Sequence, residues 1–159
     1  MTGGKLQHVD IFNKPLFRGF RLHLFNQTEF NVKFQKPVPT DVNLLSAEFD
    51  FFVRQYWFVP AQISFAYTGY TGYGEALLGF GLQTKPVYKK HFQCFFQSMI
   101  GGNNASLIIK PELGVDYGLS DSIALYGMVS QTIPINTKQL NNFYSVGFGL
   151  TYRFSLLEN

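Results

Sequence analysis

The segment Asn142–Phe154 reads NFYSVGFGLTYRF. Its even positions are Tyr144, Val146, Phe148, Leu150, Tyr152 and Phe154; its odd positions are Ser145, Gly147, Gly149, Thr151 and Arg153. A strand sends successive side chains to opposite faces, so this one is apolar and aromatic on one side, small and polar on the other. Two environments produce that split. In a soluble protein the apolar face is the core. In a transmembrane barrel it meets lipid, and the polar face lines the lumen.

Composition leans toward the second environment. The chain has 159 residues, enough for one domain. Aromatic residues make up 18% and charged residues only 14%, against roughly 25% charged in ordinary soluble domains. Fifteen glycines are spread along the chain, as expected of β-structure with tight turns and small inward-facing positions. The net charge of +3 is too small, and the bases too scattered, for a nucleic-acid surface. A single cysteine, Cys94, excludes an intrachain disulfide, and the sequence carries no Cys/His metal motif. No apolar run reaches the ~20 residues of a membrane helix. Met1–Lys5 is polar with no hydrophobic region behind it, so an exported protein is expected here in mature or partial form.

From Leu16 onward, period-2 runs follow one another without a helical segment. Phe20, Leu22 and Leu24 oppose Arg21 and His23; Phe30, Val32 and Phe34 oppose Asn31, Lys33 and Gln35. Beyond Lys36–Pro39, Leu45 to Val53 alternates with Glu48, Asp50 and Arg54; Ala61 to Tyr67 alternates with Gln62 and Ser64. Ala76 to Leu82 opposes Glu75, Gly79 and Gly81, and Phe92, Cys94 and Phe96 oppose Gln93 and Gln97, with Phe95 an exception on the polar face. Ile109 to Tyr117 opposes Lys110, Glu112, Gly114 and Asp116, and Ile123, Leu125 and Val129 oppose Ala124, Tyr126 and Ser130. These are about nine runs of roughly the 9–11 residues that a tilted membrane strand needs. The expected fold is all-β, an antiparallel up-and-down transmembrane barrel of about 8–10 strands over residues 16–154. Residues 1–15 are expected to be either a disordered lead or a partial first strand at Leu6–Phe12, and residues 155–159 a tail. Arg21, Lys33, Glu48, Asp50, Arg54, Glu75, Lys110, Glu112, Asp116 and Arg153 are expected to pair inside the barrel. Phe49, Phe51, Phe65, Phe80, Phe96, Tyr144, Phe148, Tyr152 and Phe154 are expected to face lipid. With the C-terminus on the inner side, Ile133–Asn141, Gly101–Asn104 and the aromatic loop Gly69–Gly74 fall on the outer rim. Gly118–Asp121 and Lys85–Lys90 then fall on the inner one.

Tyr117-Gly-Leu-Ser-Asp-Ser-Ile-Ala-Leu-Tyr126, followed by Val146-Gly-Phe-Gly-Leu-Thr-Tyr-Arg-Phe154, resembles the last two strands of small bacterial outer-membrane β-barrel proteins. In that class a Tyr-x-Leu-Ser/Thr-Asp hairpin turn is common, and the last strand alternates aromatics toward a terminal Phe. The likeness is clearest over Ile108–Phe154; Ser155–Asn159 extend beyond the expected terminus. The resemblance implies insertion into the bacterial outer membrane from the periplasm. It also implies membrane lipid as a partner and a last strand read by the barrel-assembly machinery.

Catalysis finds little footing. The sequence has no Gly-x-Ser-x-Gly elbow, and Gly69–Gly74 lacks the Lys-Ser/Thr and the following helix of a phosphate loop. His23 reads as a satisfied lumen or loop histidine, and the carboxylate pairs Glu48/Asp50 and Glu112/Asp116 as partners of the arginines. No cofactor or metal is expected, and no specific ligand is indicated. The main expectation is a non-enzymatic outer-membrane barrel with a filled polar lumen and a structural, adhesive or envelope-stabilising role. The alternative is a soluble calycin-like carrier with its aromatics inside around an apolar ligand; a narrow pore or an outer-membrane acyl hydrolase using His23 ranks lower.

Overall fold

The computed structural model describes residues 19–33, 38–70, 72–87, 91–135 and 140–155. The strands are β1 (Gly19–Val32), β2 (Thr40–Arg54), β3 (Trp57–Thr68), β4 (Gly74–Gln83), β5 (Phe92–Asn103), β6 (Leu107–Gly118), β7 (Ile123–Ile135) and β8 (Phe143–Ser155). Each pairs antiparallel with the next, and β1 pairs with β8 to close a barrel of eight strands. Closure leaves no unpaired edge.

The count is eight rather than nine because the described parts of two of those runs, Gly19 to Asn26 and Phe30 to Val32, belong to one strand. A bulge between Glu29 and Val32, with Asn31 at φ 57°, joins them. Asn tolerates this left-handed conformation better than most residues. The extra residue reverses the alternation. Phe30 therefore points out, Val32 is fully buried, and Lys33 lies exposed beyond the strand. The expectation that Val32 shares a face with Phe30, and Lys33 faces the lumen, is corrected accordingly. Residues Gly101 to Asn103, expected in a loop, continue β5. A Cβ on Gly101 would lie 2.0 Å from the Ala76 carbonyl oxygen, so only glycine lets β5 approach β4 this closely. The possible strand at Leu6–Phe12 and the tail beyond Ser155 lie outside the described residues.

The barrel is apolar outside and mixed inside. The nine aromatics expected on the outer face are 37% to 70% exposed, which reverses the arrangement a calycin-like carrier requires. Outward positions between the rims carry Leu24, Leu45, Ile63, Leu78, Ile100, Leu113 and Val129. The outward Asn26 donates to the Tyr67 hydroxyl. Among the described outward strand positions the only charged residue is Asp41, beside the rim. Around the rim that carries the ends of the barrel, Phe20 stacks on Phe154 at 4.3 Å, Tyr152 packs on Phe154 at 4.6 Å, and Trp57 meets Phe80 at 4.9 Å.

Inside, the opposite rim is closed by Val32, Val42, Leu44, Tyr73, Leu77, Met99, Ile108, Leu140 and Phe143. Tyr73, expected in an aromatic rim loop, turns inward because the chain reverses at Gly69 and Gly72, with φ 89° and 82°. Near the middle, Phe25, Phe58, Phe95, Tyr126 and Met128 form a second apolar layer. Two of its rings lie over glycines of the adjoining strand, Phe58 over Gly81 and Phe95 over Gly114. A Cβ on Gly114 would stand 1.9 Å from the Phe95 ring. These glycines are therefore sockets for rings.

Candidate functional site: the buried charge network

Period-2 alternation brings one face of every strand into a space too small for free water, so charged residues on that face must find partners. Direct cross-strand pairing sets Arg21 opposite Asp50 and His23 opposite Glu48. The Arg21 guanidinium donates from Nε and Nη2 to Asp50 Oδ2 at 2.8 and 2.6 Å, and from Nη1 to Asp116 Oδ2 at 3.2 Å and Gln83 Oε1 at 3.1 Å. Phe52, Phe58 and Phe95 surround it with ring centroids 5.0 to 5.2 Å away. Arginine suits this place because its planar fork serves two carboxylates while its faces stack on rings.

His23 contacts Asp50 Oδ2 through Nε2 at 2.9 Å and the Thr151 hydroxyl through Nδ1 at 2.7 Å. That hydroxyl donates to Asp116 Oδ1 at 2.7 Å. Deeper in the barrel, the Gln97 amide donates to both Glu48 Oε2 and Glu112 Oε1, at 2.8 and 3.0 Å; the Tyr126 hydroxyl also donates to Glu112, at 2.8 Å. Next to the apolar closure, Lys110 Nζ lies 2.9 Å from Glu75 and 3.6 Å from Glu29, and the Tyr73 hydroxyl donates to Glu75 at 3.0 Å.

The structure thus brings together Arg21, Glu48, Asp50, Glu75, Lys110, Glu112 and Asp116, all buried. Arg153 stands at the edge of this group, partly exposed and 3.6 Å from Asp116. Arg54 is exposed at the end of β2 and Lys33 is exposed at the other rim, so neither sits in the buried network. Arg54, Arg153, Gln83 and Gln93 instead help line a hollow of about 500 Å³ that opens at the rim of the strand ends.

Several participants escaped the reading of the sequence. Glu29 is buried in the same β1 series as Arg21 and His23, and unbroken counting from Arg21 through Gln27 would have found it. Gln97 and Thr151 lie on faces read as polar, but alternation alone gives no partners to a residue. Tyr73 carries no signal, because a turn rather than a strand aims it inward. Among the described residues, the hydrogen bonds of His23 go to Asp50 and Thr151 and none to a serine.

No protein-family model matches the chain, and no curated protein matches its sequence. Solved structures do match. Neisserial surface protein A superposes with a TM-score of 0.63 at 8% identity, over 86% of this chain and 97% of that one. A de novo designed transmembrane β-barrel gives 0.60 at 14% identity, covering 89% and 98%. The N-terminal β-barrel domain of Pseudomonas aeruginosa OprF gives 0.57 at 9% identity, covering 87% and 98%. At these identities the likeness is one of architecture: the chain has the fold of the small eight-stranded transmembrane β-barrels.

Proposed function

We propose that the protein is an integral barrel of the bacterial outer membrane with a filled polar lumen. Its role is structural, adhesive or envelope-stabilising rather than catalytic. The carrying observation is the inversion of the usual arrangement: Arg21, Lys110 and Asp50 are buried while Phe148, Phe65 and Tyr144 are exposed. Shielding one large apolar side chain from water is worth about 1.5–3 kcal/mol. A continuous band of them around a barrel far exceeds the isolated patches that soluble monomers tolerate. The strands, 10 to 15 residues long, reach across a ~30 Å hydrocarbon layer when tilted. The rim rings Trp57, Phe80, Tyr152 and Phe154 suit a membrane interface.

On this reading, membrane lipid is the principal partner and the barrel-assembly machinery reads β8 during insertion. The strand ends face the periplasm, and the apolar closure faces outward. Folded protein is expected to partition into detergent and to migrate differently in gels before and after boiling. A stable monomer in detergent-free buffer contradicts the proposal.

A further inference from the structure

We propose that His23, Glu48 and Asp50 form a binding site for one divalent first-row cation, with zinc the best match. This is independent of the membrane that houses the barrel. The donor atoms of the three side chains lie within 4.8 Å of one another, and all three residues are buried. Because the Thr151 hydroxyl donates to Asp116, its oxygen accepts the Nδ1–H of His23. The other ring nitrogen then faces Asp50 Oδ2 at 2.9 Å and Glu48 Oε1 at 4.0 Å. Asp50 Oδ2 already accepts twice from Arg21. In that tautomer an electron-pair donor faces two carboxylate oxygens, a contact that a proton or a metal ion at Nε2 relieves.

A proton on Nε2 satisfies Asp50 alone. It leaves Glu48 Oε1 and Asp50 Oδ1, both fully buried, without a hydrogen-bond partner. A divalent ion engages all three side chains. Ligands about 2.0–2.2 Å from zinc stand about 3.3–3.6 Å apart in a tetrahedron, so on binding the 2.9 Å contact between His23 Nε2 and Asp50 opens and the 4.0 Å gap to Glu48 Oε1 closes, each by about half an ångström. One imidazole with two carboxylates is a donor set that zinc accepts. The Nδ1–H bond through Thr151 to Asp116 is the outer support that orients a metal-bound histidine.

The test refolds the full chain into detergent micelles with zinc chloride, removes loose metal with a weak chelator, and measures zinc in the heat-modifiable fraction. A single zinc per folded chain, released on boiling, is expected. Thr151→Val should weaken retention by about 10–100-fold, as loss of an outer partner does. Glu48→Gln should weaken it at least as much, and His91→Gln should leave it unchanged. Trace zinc in the folded wild type, or full retention by folded Glu48→Gln, overturns the site. If Glu48→Gln does not fold, nitrogen-15 spectra of wild-type His23 decide: zinc should leave Nε2 without a proton, and an imidazolium spectrum in saturating zinc overturns the proposal.

Discussion

At the scale of single residues, Arg21 does the most. It neutralises Asp50, bridges to Asp116 and fills the space between three rings. Removing one member of a buried ion pair leaves an uncompensated charge and costs about 3–5 kcal/mol, more than the intact pair contributes. Arg21→Met is therefore expected to destabilise the folded barrel by about that amount in urea titrations monitored by gel mobility. Adding Asp50→Asn should recover part of the loss, because the orphaned charge goes with it; additive losses would show that the two side chains are not coupled. Arg21 and Asp50 were both legible as inward residues from alternation. Their pairing was not, because a strand pattern gives the face and leaves the register open.

At the scale of elements, the ring-over-glycine contacts hold neighbouring strands in register. Gly114 is the sharpest case, since Phe95 occupies the space a side chain would take while Phe58 and Tyr126 pack against the same ring. Gly114→Ala should cost about 1–3 kcal/mol by overpacking, and Phe95→Leu in the same chain should relieve much of it. Equal costs of Gly114→Ala with and without Phe95 would dissociate the glycine from the ring. The sequence marks Phe95 as an aromatic on a polar face, but the glycine that receives it lies on another strand. The bulge at Asn31 was hidden for a different reason. A reversal of alternation looks the same as the end of one strand and the start of another, so β1 was divided and Glu29 was lost from the inward series.

At the scale of the molecule, the direction of the strand faces decides everything else. The outward band was legible because its period is strict from Tyr144 to Phe154 and charge is missing from it. The apolar closure at the far rim was not, since Val42, Leu44 and Met99 are apolar residues on inward faces and break the rule that the inside is polar. That closure separates the buried charges from the far rim, while the hollow beside Arg153 remains open at the other. The most direct measurement of orientation is a spin-label scan of β8. Residues 144 to 154 are replaced one at a time by cysteine in a Cys94→Ser background, and the labelled protein is inserted into lipid vesicles. Collisions with dissolved oxygen should rise at 146, 148, 150 and 152 and fall at 147, 149 and 151. A scan with the opposite phase, or one in which the even positions are reached by a water-soluble relaxation agent instead, contradicts an outward apolar face in lipid.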